Sequence, residues 1–246
     1  MVNENGFRRE KLVYQASDYS HSEQKYVIEG LVHKFLEVAH WASNRQIQLG
    51  IRGFATRRYT TLEKLLKRKS KKGEIRVARF GKINVYALPR KTRNSDLDDT
   101  SKIYHGLCCT ECLIRFIACK EGDPLPEGFF RGYGRVPEFG IRYENDKLLL
   151  CEFSTKHDTF YSGKIRGKLF GYDESIMDIE RDFNAKCIVV FILDVPRKTV
   201  RKIVDKYSPS VPYFFCDFET FKSVRIGEAL VSRIYFWKDG KEYSLA

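Results

Sequence analysis

The sequence predicts an α/β protein, α+β overall, built in two parts that differ in charge and in element order. Residues 1 to 93 hold 21 Lys/Arg against 8 Asp/Glu, and residues 94 to 246 hold 23 against 24, so the basic excess lies wholly in the first part. The first part reads as helices closed by one short hairpin. The second alternates strand and helix patterns around strongly apolar runs. With 246 residues and 43% hydrophobic content, the chain is long enough for two small domains. The expected division is a loose polar arm over 1–21, a first domain over 22–90, a linker over 91–101 and a second domain over 102–246.

In the first part, Tyr26, Val27, Leu31, Val32, Phe35, Leu36 and Val38 recur at helical spacing and predict a core helix to about His40. Ser43 is placed to cap a short helix over Asn44 to Leu49, which Gly50 ends. A third helix is expected over about 56 to 69, with Tyr59, Leu62, Leu65 and Leu66 inward. Ile75–Phe80 and Ile83–Leu88 flank Gly81-Lys82 and predict two strands around a tight turn. Three helices and a hairpin is the layout of a winged helix-turn-helix domain, whose second helix of the pair enters the major groove. Candidate DNA contacts are Arg45, Thr56, Arg57, Arg58, Thr60, Thr61 and Lys64, with Arg76, Arg79 and Lys82 on the wing. Most would meet phosphates. The competing reading is a merely solvated basic face.

The polar segment Pro89 to Ser101 separates the parts. A helix over Ile103 to Lys120, a Gly/Pro-rich loop over Glu121 to Arg135, and the hairpin Val136–Tyr143/Leu148–Phe153 follow. Beyond them come a helix through Lys164, Lys168 and Tyr172 to about Phe183, a buried strand over Cys187 to Leu193, a helix over Lys198 to Tyr207, and strands at Tyr213–Cys216 and Ser232–Trp237. This order predicts a mixed central sheet with helices on it.

The hairpin carries the chemistry. Glu138 opens its first arm and Glu152 closes its second, so antiparallel pairing brings the two carboxylates to one sheet edge. Paired carboxylates suit Mg²⁺ or Mn²⁺, which would lower the pKa of a bound water and neutralise charge on a phosphate. The alternative is that both are strand-end acids paired with nearby Lys or Arg. Glu152 ends an apolar run, where a carboxylate is costly unless paired or metal-bound.

In order and position the second domain resembles the PD-(D/E)xK nuclease superfamily. Glu111 on the first helix, Pro137-Glu138, Glu152 and the following helix match that core. The resemblance implies metal binding by Glu138 and Glu152, a supporting role for Glu111, and a lysine two residues after Glu152. Ser154 holds that place, so Lys168, Lys164 or Lys156 would have to supply the ammonium. Across residues 25 to 240 the chain is similar, more specifically, to the replication-relaxation family of plasmid and mobile-element proteins. The supporting stretches are SNRQIQLGIRGFATRRYTTLEKLLKRKSKKGEI, NVYALPR, VPEFGIRYENDKLLLCEFST and VPYFFCDFETF. That likeness implies a winged helix feeding a PD-(D/E)xK-like domain. The leading expectation is a DNA-binding, metal-dependent endonuclease. The alternative is a non-catalytic replication or transcription regulator whose nuclease-like domain serves dimerisation or partner binding.

Cys108, Cys109, Cys112 and Cys119 with His105 have some metal-ligand spacing, but all sit on one predicted helix, so core packing is favoured over zinc. His157 near the acids is a weak general-base candidate. No phosphate loop, catalytic triad or dinucleotide fingerprint occurs, and no small-molecule cofactor is expected. Phe129, Phe130 and Tyr133 near Arg131 and Arg135 could stack bases or pack under the sheet. Seven cysteines, an odd number, fit reduced thiols. With no signal peptide and no membrane span read in the sequence, the expectation is a cytoplasmic protein acting on double-stranded DNA, with a homodimer matching two strands.

Overall fold

The computed structural model describes residues 21–51, 59–119, 122–157, 162–207, 213–226, 230, 233–238 and 241–244. The protein is mixed α/β, as the sequence predicts. It divides into two compact units, residues 1–117 and 118–246.

The first unit runs α1 (His21–Val38), β1 (Ala42–Ser43), α2 (Asn44–Gly50), α3 (Tyr59–Lys71), β2 (Arg76–Phe80) and β3 (Ile83–Ala87), followed by most of α4 (Thr100–Cys119). Its strands form a three-stranded antiparallel sheet in the order β1-β3-β2. Ser43 caps α2 with a capping box: its hydroxyl accepts from the Gln46 amide at 3.2 Å, and the Gln46 side chain accepts from the Ser43 amide at 3.1 Å. Gly81 turns the β2–β3 hairpin at φ 56°, a conformation glycine adopts without strain.

The unit boundary falls later than the composition implies. The expected linker 91–101 belongs to the first unit, and the helix assigned to the second domain packs with the first. The reason is burial: Ile103 joins Trp41, Ala78, Val85 and Ala87 in one core cluster. Polar ties reinforce it. Thr110 Oγ1 donates to the Trp41 carbonyl at 2.8 Å, and Gln46 Nε2 donates to the Leu107 carbonyl at 2.9 Å. Within the supposed linker, Pro89–Lys91 and Asn94–Asp96 form short 3₁₀ turns, and Thr92 is buried.

The second unit holds β4 (Asp123–Pro126), β5 (Phe139–Tyr143), β6 (Lys147–Ser154), α5 (Ser162–Phe183), β7 (Lys186–Leu193), α6 (Arg197–Tyr207), β8 (Phe214–Asp217), α7 (Phe218–Ser223), β9 (Tyr235–Lys238) and β10 (Lys241–Ser244). Seven strands make one mixed sheet in the order β10-β9-β8-β7-β6-β5-β4. β6, β7 and β8 are parallel, and the flanking pairs are antiparallel. β6 and β7 are central; β6 buries all but Lys147 and β7 buries Val189 to Leu193, which is why their sequences read as continuous apolar runs. Leu148 and Leu150 of β6, Val189 and Phe191 of β7, and Ile165, Leu169, Tyr172 and Ile179 of α5 share one core. Phe191 stacks on Phe215 at 5.4 Å and meets Tyr172 edge-on at 6.1 Å.

Besides the short strands β1 and β10, two elements of the second unit escaped the sequence reading. β4 lies in the Gly/Pro-rich stretch because Pro124 and Pro126, which lack an amide proton, are tolerated on an edge strand. α7 is a single short helix capped by Asp217, whose carboxylate accepts from the Thr220 amide at 2.9 Å. Among the described residues no helix is long and apolar enough to cross a membrane.

β5 passes under Phe130 at Gly140. A Cβ there would stand 2.6 Å from Phe130 Cζ, and Phe130 is fully buried. Gly140→Ala is therefore expected to lower stability by about 1–3 kcal/mol through overpacking, read as a lowered urea midpoint at unchanged slope. A midpoint equal to the parent's would contradict this packing.

Candidate functional site

Along β6 the even positions Leu148 and Leu150 face the core shared with α5, and the same parity carries Glu152 and Ser154 to the end of the strand. Glu152 is 0% exposed. A carboxylate at such depth must find partners, and it has them. Arg135 grips it with two parallel bonds, Nε to Oε1 at 2.6 Å and Nη2 to Oε2 at 2.7 Å. Lys168 Nζ lies 2.7 Å from Oε2. The Tyr172 hydroxyl donates to Oε1 at 3.0 Å.

α5 supplies two of these contacts. Lys168 and Tyr172 are one turn apart and look at the same strand end. Gly171 between them leaves the helix surface bare where Arg135 crosses: a Cβ at Gly171 would lie 3.1 Å from Arg135 Cβ. Lys168 also donates to the Phe153 carbonyl and to Ser154 Oγ, each at 3.1 Å. Its ammonium thus sits at Ser154, the position from which a strand lysine would have reached out.

Electrostatics follow from this geometry. Burial lowers the Arg135 pKa, but the hydrogen bonds and charge of Glu152, with smaller help from Tyr172 and Glu138, carry it above its ordinary value. Burial first, then the Glu152 charge, drive the Tyr172 phenol well above 10, so it stays a donor.

The other expected catalytic residues are placed differently. Glu138 is half-buried just before β5, and its amide donates to the Cys151 carbonyl at 2.9 Å. Since Phe139 pairs with Cys151, one step back in register brings Glu138 alongside Glu152. Glu138 thus lies at the same end of the β5–β6 pair as Glu152, and its charge acts on Arg135. Glu111 belongs to the first unit, where Arg115 Nε holds it at 2.9 Å and Gln46 Nε2 lies 3.4 Å away. Lys156 and His157 are exposed beyond the end of β6, because the strand stops at Ser154. Lys164, one turn before Lys168, lies on the solvent side of α5.

The fit of a divalent cation can be judged from the donors at Glu152. Four hydrogen-bond donors, from two cations and a phenol, occupy both of its oxygens. A carboxylate offers about four lone-pair sites. Mg²⁺ or Mn²⁺ would need those lone pairs and would stand beside two positive charges, so the residues as arranged do not fit it. Arg135 and Tyr172 were missed as members of the site. The available signal was a Lys-x-x-x-Tyr pair and a glycine on the face of a helix that follows an acid-ended buried strand.

Of the expected DNA contacts, Thr56, Arg57 and Arg58 lie outside the described residues, and Thr60 and Thr61 fall in the first turn of α3. Arg45 and Lys64 are exposed, as are Arg79 and Lys82 of the hairpin. Arg76 is half-buried rather than presented. Acids neutralise part of the basic surface: Glu29 pairs with Arg68 and Lys69, and Glu37 with Arg90. Lys64, Lys67, Lys71 and Lys72 of α3 and the loop after it remain solvent-exposed. Cys108, Cys109 and Cys112 are buried along α4, and Cys119 Sγ accepts from the Leu230 amide at 3.3 Å. Burial pushes the Cys187 and Cys216 thiols up to about 12.

In comparison with known proteins, the chain matches no family model and no curated protein.

Two outcomes follow from the Glu152 cluster. Glu152→Ala would leave two partly buried cations without their counter-charge, at a cost of about 3–5 kcal/mol in a urea titration, while Tyr172→Phe would cost about 1.5–3 kcal/mol. A Glu152→Ala protein as stable as the parent would contradict the pairing. Burial raises the phenols of Tyr143, Tyr172, Tyr213 and Tyr235 above their ordinary value of 10 in the folded state. Their stabilisation is full below pH 10 and is lost as pH climbs toward the folded values, because the unfolded chain then gives up protons that the native one keeps. Ultraviolet titration should show these tyrosines ionising only together with alkaline unfolding; smooth ionisation of all tyrosines near pH 10 in a folded protein would refute it.

Proposed function

We propose that the protein is a double-stranded-DNA-binding regulator whose second unit is a nuclease-like domain that does not cleave. The charge distribution carries the DNA-binding half of this reading. Through residue 117 the chain holds 23 Lys/Arg against 12 Asp/Glu, and after it 21 against 20. The element order α1-β1-α2-α3-β2-β3, with β1 added to the hairpin, supports a winged helix-turn-helix arrangement. In that arrangement α3 is the groove helix and the Gly81-Lys82 tip is the wing.

The saturated Glu152 carboxylate supports the absence of cleavage. A second reading, a metal-dependent endonuclease, is favoured by one observation: Lys168 brings its ammonium to Ser154 and Glu152, where the missing strand lysine would act. Mobile-element replication and plasmid maintenance suit either reading, since both need a protein that finds duplex DNA.

Fluorescence anisotropy on duplex DNA at varied salt tests the first half. Arg79→Ala with Lys82→Ala should weaken binding and reduce the slope of log K against log salt by about 2, roughly 0.9 per lost phosphate contact. An unchanged slope would remove the hairpin from the interface. A plasmid-nicking assay with Mg²⁺ or Mn²⁺ tests the second half. Intact plasmid is the expected result, and cutting that Glu152→Ala abolishes would establish the endonuclease instead.

A further inference from the structure

Helix α5 carries two stripes of residues at alternating spacings of four and three. Ile165, Leu169, Tyr172, Ile176, Ile179 and Phe183 form the first and pack toward the sheet. Gly163, Gly167, Phe170, Glu174, Met177 and Arg181 form the second, and it lies in solvent. Phe170 is 59% exposed and Met177 77%, seven residues apart on one face. A ring and a thioether this open, in line with each other, differ from scattered surface apolar residues. The spacing is that of a coiled-coil seam.

Charge identifies the occupant. The first half of α5 carries Lys164, Arg166 and Lys168 and no acid, while the second carries Asp173, Glu174, Asp178, Glu180 and Asp182 against Arg181 alone. A parallel partner helix of the same kind would set like charges together. An antiparallel copy sets each half against its opposite. The seam is also symmetric under that reversal about position 172. Gly163 then meets Arg181 and Gly167 meets Met177, so two long side chains lie over residues that have none, while Phe170 meets Glu174 near the two-fold axis. A Cβ added at Gly163 or Gly167 meets nothing within 4 Å, leaving open room for an incoming side chain. At the flanks Lys164 faces Asp178 of the copy and Arg166 faces Glu180.

We propose that the exposed face of α5 is the interface of a two-fold homodimer, formed with the same helix of a second copy running antiparallel. The contact is isologous, so it closes at two chains. This goes beyond the DNA-binding reading and stands without it, because only the second unit takes part.

Sedimentation equilibrium on the full chain over a range of concentrations tests it. The parent should run as a dimer, twice 28.8 kDa. Gly167→Leu has free space in the monomer, so it should leave the circular dichroism spectrum intact while raising the dissociation constant at least tenfold. Met177→Glu should do the same. Lys164→Glu should weaken association, and adding Asp178→Lys in the same chain should restore it. A parent that stays monomeric overturns the proposal. So does a dimer indifferent to both Gly167→Leu and Met177→Glu, which would place its interface elsewhere. DNA affinity, measured in parallel, reports on the regulator reading separately.

Discussion

The second unit depends on how one buried charge is accommodated. Glu152 sits near the end of a strand in which Leu148 to Cys151 are all apolar, and no water-exposed surface is left to it. Everything around it answers that constraint. Arg135 arrives from the loop before β5, Lys168 and Tyr172 come from α5, and Gly171 clears the path for the arginine. Two separate segments are thereby locked to one strand end. The arrangement fixes where α5 begins its passage across the sheet, and with it which face of α5 looks outward.

The same cluster decides what chemistry this end of the sheet can support. Two acids at the end of a hairpin invite a metal, but their neighbours are cations, and the buried acid has no lone pair to spare. Lys168 reaches Ser154 while it is paired with Glu152, so its ammonium is already engaged. The basic excess, by contrast, stays in the first unit, and its exposed members lie on α3 and the hairpin tip while Glu29 and Glu37 tie down others. The basic excess and the stapled carboxylate thus belong to different units of the chain.

Much of this was legible in the sequence. Period, caps and turns placed α1, α2, the Gly81 hairpin and the buried strands β6 and β7, since each rests on local chemistry. That Glu138 and Glu152 lie at the same end of the hairpin followed from antiparallel pairing alone. What stayed hidden depends on tertiary packing. α4 reads equally well as belonging to either unit until Ile103 and Thr110 are seen against Trp41. β4 carries two prolines and reads as loop until it is known to lie at an edge. Choosing Lys168 over Lys164 and Lys156 required knowing that β6 stops at Ser154 and how α5 turns above it. Arg135 offered no local pattern, because its partner lies seventeen residues away.

The central claim is that Arg135, Lys168 and Tyr172 use up the Glu152 carboxylate and leave nothing for a divalent cation. Electron paramagnetic resonance of added Mn²⁺ measures this without reference to any activity. The account predicts that the parent protein and Glu152→Gln deplete the free Mn²⁺ signal equally. Binding by the parent that disappears in Glu152→Gln would contradict it.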